Sequence, residues 1–336
     1  MLAKVCVVGS GGWGTALGTV LDANGKNVVM YAREPELLKS FREDHENTLF
    51  LPGIKLAGSL RITNDLQEAV TDCELIVLAV PTKWFRSALL EMLPFVKDQN
   101  PCIVSVTKGI EIGTLMTPDK IMAEVFGDHA YDFVCLSGPS HAEEVARSIP
   151  TAVTVASTNP EAAKKAQDFF MGPNFRVYTH SDVIGVEIGG ALKNIIALAA
   201  GICDGVGFGD NTKAALITRG LSEMTRLGVA MGADPMTFAG LSGMGDLIVT
   251  CMSQHSRNRY VGDQIGRGRT LKEVLDEMVM VAEGVTTTES AHALAQQNGI
   301  EMPITSKVYS VLFENASPRE AVATLMEREA KAETIG

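Results

Sequence analysis

Two apolar patterns alternate through the first half of the chain, and one of them then stops. Short runs of aliphatic and β-branched residues recur at Val5 to Val8, Asn27 to Tyr31, Glu74 to Val80, Cys102 to Val106, Phe133 to Leu136, Ala152 to Ala156 and Phe175 to Tyr178. Stretches of helical spacing lie between them, including Glu36 to Asp44 and Ser87 to Leu93. Strands separated by helices predict a doubly wound parallel sheet. Right-handed crossovers then put the strand C-terminal ends on one edge, so the tips at Gly9, Lys108 and Gly138 are expected to face one crevice. Phe50-Leu51-Pro52-Gly53 is expected as a turn.

After Ser181 only the helical pattern remains. Helices are expected over Asp182 to Cys203, Lys213 to Met231, Asn258 to Ile265, Leu271 to Met278, Thr288 to Gln297 and Ile304 to Phe313. The boundary between two domains, 1–180 and 181–336, is placed here. Val183 to Cys203 is the least polar long stretch, but it carries Glu187, Lys193 and Asn194, which predicts a buried helix rather than a membrane span. Gly201 to Asn211 holds four glycines and reads as a mobile flap or as an irregular loop.

The chemistry begins at Val5 to Ala16, VCVVGSGGWGTA. A buried strand runs into Gly9, Gly11, Gly12, Trp13 and Gly14, and a small-residue helix follows to about Leu21. In the G-x-G-x-x-G turn the first glycine permits the tight bend and the second lets backbone approach a pyrophosphate. The third lets strand and helix pack closely. The phosphate charge then meets unpaired N–H groups at the positive end of a helix dipole. About 20 residues on, where an acid commonly reads a ribose hydroxyl, stands Arg33. A guanidinium suits a 2′-phosphate, which favours NADPH; the alternative is a surface residue beyond a strand.

The chain has 336 residues, 46% of them hydrophobic, and a net charge of −11. That balance suits a globular chain and argues against a nucleic-acid or anionic-membrane surface. An anionic ligand would need a local basic site. The six cysteines are scattered, without C-x-x-C pairs or histidines at ligand spacing, so they read as small buried hydrophobes in a reducing cytoplasm, with no metal. No leader-like segment precedes the opening strand, so none is expected. A homodimer is the default expectation for assembly.

In the helical half, Lys193 has Gly189, Gly190, Ile196 and Ala197 as helical neighbours. A lysine on that apolar surface is either desolvated, with a lowered pKa suited to proton exchange, or extends its head to water. Asp246 reads as an N-capping residue after a turn, or as a functional acid. Ser256, Arg257 and Asn258 open a helix and form either the best phosphate site outside the glycine turn or a capped surface helix.

These motifs resemble those of bacterial NAD(P)-dependent sn-glycerol-3-phosphate dehydrogenases over nearly the whole chain. The resemblance rests on GSGGWGTAL at Gly9, TKG at Lys108, SGPS at Ser137, GGALKN at Gly189, GMGDLIVTC at Gly243, SRNR at Ser256 and AEG at Ala282. It implies a Rossmann-like doubly wound, mostly parallel sheet with a second, all-α domain. It also implies reversible hydride transfer between dihydroxyacetone phosphate and sn-glycerol 3-phosphate, feeding glycerophospholipid synthesis. Cofactor contacts, to NADP or NAD, would fall to Gly12, Trp13, Arg33, Lys108, Ala142, Arg257, Val281 and Glu283. Substrate contacts would fall to Lys108, Gly138, Ser140, Lys193, Asp246, Ser256, Arg257 and Asn258, with Lys193 the general acid and base. Gly12 departs from the family, where serine is common. A dehydrogenase of 3-hydroxy acids and a non-catalytic dinucleotide sensor are the rival readings. A serine hydrolase is excluded, since Gly138-Pro139-Ser140-His141-Ala142 lacks the last glycine of G-x-S-x-G.

Overall fold

A computed structural model describes residues 3–329 and residue 333. The chain opens with β1 (Lys4–Val8), α1 (Gly12–Ala23), β2 (Asn27–Tyr31) and α2 (Pro35–Glu43). A short antiparallel ribbon of β3 (Glu46–Asn47) and β4 (Leu51–Lys55) comes next, then β5 (Arg61–Thr63), α3 (Leu66–Val70) and β6 (Leu75–Leu78). α4 (Thr82–Val96), β7 (Cys102–Ser105), α5 (Pro118–Phe126), β8 (Asp132–Ser137), α6 (Ala142–Ala146), β9 (Thr151–Ala156), α7 (Pro160–Phe170) and β10 (Phe175–His180) complete this half.

Eight strands form one sheet in the order β10-β9-β8-β7-β6-β1-β2-β5. From β5 to β8 all neighbours are parallel. Chain progress reverses between β1 and β6, which is the kind of switch point where such sheets bind nucleotides. Val5, Cys6 and Val7 of β1 are fully buried, which explains why the run is continuously apolar rather than alternating.

The placement of every strand end on one edge is corrected here. β9 pairs antiparallel with β8, and β10 follows β9, so the last two strands run the other way. The connection from β8 carries only the five-residue α6. A strand's apolar run reads the same in either direction, so its composition does not reveal this reversal. The expected turn at Phe50 to Gly53 is also corrected: Leu51 and Ile54 bury their side chains, and the chain from Leu51 is strand β4.

The helical half comprises α8 (Val183–Val206), α9 (Asp210–Ala230), a 3-10 turn (Pro235–Ala239), a π turn (Leu241–Gly245), α10 (Asp246–Met252), α11 (Arg257–Gly266), α12 (Leu271–Asp276), α13 (Glu283–Gln297), α14 (Pro303–Phe313) and α15 (Pro318–Met326). Helix α8 is long and apolar enough to cross a membrane, with mean hydropathy 1.6, but 94% of that window is buried inside the protein. Its Ile188, Leu192, Ile195, Ile196 and Leu198 lie in the helical core.

Two compact units result. One holds the chain up to Thr107 with Pro118–Val183; the other holds Lys108–Thr117 and the chain from Ile184 on. The excursion over Lys108–Thr117 was hidden in the sequence, where Lys108 looks like a simple strand tip. Ile110 anchors it, fully buried in the helical core. The glycine-rich flap is corrected too: α8 continues through Gly201 and Gly205 to Val206, and the break is confined to Gly207–Gly209.

Candidate active site

In the sheet unit, Gly9 bends β1 towards α1 at φ +109. A Cβ there would lie 2.5 Å from the Ala79 carbonyl oxygen, and one at Gly14 would lie 2.1 Å from the Gly9 oxygen. Strand, turn and helix thus touch backbone to backbone, while the space beside Gly11 is open. Helix α1 has no side-chain cap at Gly11, which leaves its first N–H groups available to an anion. These features fit a dinucleotide pyrophosphate.

Sequence reading missed the residue that pins this turn. Fully buried Asn47 donates to the Ser10 carbonyl and to Thr15 Oγ1, both at 2.8 Å, and accepts from the Phe50 amide at 3.0 Å. The Phe50 carbonyl so held would stand 2.6 Å from a Cβ at position 12, so glycine fits where a serine would collide. Trp13 packs its ring on the sheet core, and its Nε1 is buried without a hydrogen-bond partner. Ala142 comes to the turn through α6, its Cβ 3.8 Å from the Cβ site of Gly12. Gly138 follows β8, on the same edge as Gly9, and its oxygen accepts from Ser140 Oγ at 2.9 Å. Arg33 is exposed beyond β2 and hydrogen-bonds Glu91 of α4.

In the helical unit the ionisable groups converge. Lys193 Nζ donates to Asp246 Oδ1 and to Thr250 Oγ1, each at 2.8 Å. Lys108 Nζ donates to the other oxygen, Asp246 Oδ2, at 2.5 Å. Lys193, Asp246 and Thr250 are 7%, 2% and 3% exposed. The small residues around them make this approach possible. A Cβ on Gly189 would stand 2.9 Å from the Ser242 oxygen, so glycine lets the π turn lie against α8 and deliver Asp246 to Lys193. π segments of this kind recur at functional sites. The capping alternative for Asp246 is corrected: α10 starts without a side-chain cap, and the carboxylate is committed to the two lysines.

Burial pushes the Lys193 pKa down, to about 8, with the nearby Lys108 charge adding to the fall and Asp246 opposing it. Burial alone would raise the Asp246 pKa, but the two ammonium groups outweigh it and hold the carboxyl at about 2. One carboxylate between two ammonium groups leaves a buried excess of positive charge, suited to stabilising an oxyanion.

Ser256 caps α11, its Oγ accepting from the Arg259 amide at 3.2 Å. Arg257 is exposed on the first turn. Asn258 is buried; its Nδ2 donates to Asn194 Oδ1 at 2.8 Å, and its Oδ1 accepts from the Gly284 amide at 2.9 Å. It therefore ties α8, α11 and the start of α13, where Glu283 is the first residue and Val281 lies just before the cap at Ala282. Arg259 donates to Asp204 of α8 at 2.7 Å, and Lys213 of α9 pairs with the same carboxylate. A Cβ on Gly201 would lie 2.0 Å from the Arg259 oxygen, and one on Gly262 would lie 2.0 Å from the Leu198 oxygen. Helices α8 and α11 therefore cross in backbone contact, which the flap reading had no means of showing. Thr250 and Asn194 were also missed as members of the site. Thr250 had a signal: it stands four residues after Asp246, on the same helix face.

The NAD-dependent glycerol-3-phosphate dehydrogenase N-terminus family matches residues 4–163, and the corresponding C-terminus family matches residues 182–323. A glycerol-3-phosphate dehydrogenase (NAD(P)+) of Citrifermentans bemidjiense is 54% identical over 336 residues, spanning 100% of both chains. One from Bacillus subtilis is 51% identical over 328 residues, 97% of this chain and 95% of that one. The crystal structure of glycerol-3-phosphate dehydrogenase from Coxiella burnetii matches with a TM-score of 0.93 at 38% identity, covering 97% of this chain and 99% of that one.

Proposed function

Because this chain belongs to the NAD-dependent glycerol-3-phosphate dehydrogenase family, we propose that it reversibly reduces dihydroxyacetone phosphate to sn-glycerol 3-phosphate with Lys193 as general acid and base. The observation that carries this reading is the buried Lys193 amine, held by a carboxylate and a hydroxyl and with its pKa near 8. A nicotinamide dinucleotide, NAD(H) or NADP(H), supplies or takes up the hydride when bound on the glycine turn.

Reduction adds hydride to the C2 carbonyl carbon, and negative charge grows on its oxygen. The Lys193 ammonium stabilises that charge and then gives the oxygen its proton. At neutral pH an amine with a pKa near 8 is mostly protonated, as the acid role requires, and still releases its proton readily. Asp246 keeps the ammonium aimed and charged, and Thr250 fixes its third dimension by accepting a second hydrogen bond. Lys108, on the other carboxylate oxygen, adds positive potential where the oxyanion forms. In the oxidation direction Lys193 starts neutral and takes the hydroxyl proton.

The phosphate falls to the start of α11, where Ser256, the helix N–H groups and the Arg257 guanidinium supply charge-assisted donors. Cofactor contacts are assigned to Gly9, Gly11, Gly12, Trp13, Gly14, Arg33, Lys108, Ala142, Arg257, Val281 and Glu283. Gly138 and Ser140 are assigned to the substrate. The product serves glycerophospholipid synthesis, and the six free thiols suit a cytoplasmic setting.

The test is the absorbance of reduced nicotinamide with dihydroxyacetone phosphate, dihydroxyacetone or small oxo acids. Rapid oxidation with the phosphorylated ketone alone is expected. Turnover of an oxo acid instead would make the protein a 3-hydroxy acid dehydrogenase. Dinucleotide binding without turnover of any ketone would leave only a sensor.

A further inference from the structure

In dinucleotide-binding sheets the residue just beyond the second strand reads the ribose 2′ position. An acid there accepts from a 2′-hydroxyl, and an arginine accommodates a 2′-phosphate. This chain has Arg33 at that place, followed by Glu34, the residue that precedes α2. The fold brings an acid from elsewhere: Glu91, 58 residues on, lies on α4, and its carboxylate takes the Arg33 guanidinium. The two strands that precede these residues, β2 and β6, flank β1 and its glycine turn. Both side chains are about half exposed, at 47% and 48%, and therefore accessible to a bound nucleotide.

We propose that Glu91 is a specificity-determining residue that sets the preference between NADP(H) and NAD(H) by holding Arg33. This inference rests on the dehydrogenase reading, with a dinucleotide on the glycine turn. A 2′-phosphate has to draw the guanidinium away from the carboxylate that holds it. A 2′-hydroxyl carries no charge and makes no such demand. An ion pair this exposed is weak, so the phosphate can win the contest, at reduced affinity. One guanidinium shared between a resident carboxylate and an arriving phosphate therefore lets a single site accept both cofactors. An unopposed arginine would select the phosphorylated one.

The experiment measures dissociation constants of NADPH and NADH on the full chain by fluorescence of the reduced nicotinamide, which needs no turnover. Glu91→Gln keeps the shape and removes the charge. It should tighten NADPH by about two- to fivefold and leave NADH essentially unchanged. Arg33→Gln should weaken NADPH by about tenfold or more, and adding Glu91→Gln to it should then change nothing further. An unchanged NADPH:NADH ratio in Glu91→Gln overturns the proposal. So does an equal shift for both cofactors, or a gain in NADPH affinity that persists without Arg33. Wild-type protein that binds neither dinucleotide would instead remove the dehydrogenase reading itself. Loss of activity on dihydroxyacetone phosphate, with these affinities intact, would reject only the substrate.

Discussion

The Lys193 amine stands 2.8 Å from the Asp246 carboxylate, although 53 residues separate them in the chain. The pair is buried, and a second lysine shares the carboxylate, so the charges are held in place by the protein rather than by water. Charges fixed in this way need little reorganisation when charge develops on a nearby oxygen.

In the proposed mechanism, replacing Lys193 removes the proton donor. Lys193→Met is expected to lower kcat for ketone reduction by about 10² to 10⁴-fold while NADPH still binds. In the unaltered protein, kcat/KM for reduction should fall as pH rises through about 8, because the amine then loses its proton. The oxidation direction should rise through the same region. Stopped-flow absorbance across pH 6 to about 10 checks both limbs. A reduction profile without an alkaline fall in that region contradicts the assignment.

Asp246→Asn keeps the side chain's outline and removes the only carboxylate between two lysines in this cluster. Losing one partner of a buried charge pair costs about 3–5 kcal/mol. The Lys193 pKa should drop further, since burial and Lys108 would act with less opposition. The alkaline limb for reduction should therefore move to lower pH, and the denaturant midpoint should fall. An unmoved limb in a folded variant would show that Asp246 does not set the amine's charge.

Arg257→Ala tests the proposed phosphate site. KM for dihydroxyacetone phosphate should rise by about tenfold or more, as loss of a charge-assisted contact implies, while the slower turnover expected with dihydroxyacetone stays the same. Steady-state kinetics on the two ketones separate this outcome from general damage, which would depress both. An unchanged KM moves the phosphate elsewhere.

Glu223 provides a stability test away from the chemistry. It is 2% exposed on α9 and accepts from the Ile304 and Thr305 amides at the start of α14, at 2.6 and 3.2 Å. Burial raises its pKa from 4.5 to about 7, against the lowering effect of those amide bonds. The folded protein therefore binds a proton that the unfolded chain releases above 4.5, and stability falls as pH rises from about 4.5 through about 7. Glu223→Gln should remove a loss of up to about 3 kcal/mol across that window. Thermal melts at several pH values should show a shallower decline for the variant than for the parent. Parallel declines would contradict the prediction.

Local order was legible in the residues themselves. The glycine turn needs only its own strand, bend and helix, and those are adjacent in the chain. Cys102 and Ile103, on opposite faces of β7, announce a buried strand because both faces are covered. Other features depended on partners remote in the chain. Asn47 sits in a polar stretch with no motif, and its importance comes from reaching Ser10 and Thr15. Gly201 and Gly205 looked like loop residues because glycine disfavours an isolated helix. Backbone contact with α11, where their missing side chains matter, keeps them helical.

The amino-acid order alone determined the alternating strands, the helical second half, the phosphate-ready turn and the chemical types available at Lys193, Asp246 and Arg257. These follow from periodicity and from residues within a few positions of one another. The folded chain decided which way β9 and β10 run, that Lys108 leaves the sheet unit, that Asp246 joins two amines instead of capping a helix, and that Arg33 meets Glu91. Each of these depends on a long-range contact, whose energy comes from burial and charge pairing between segments that local pattern does not connect.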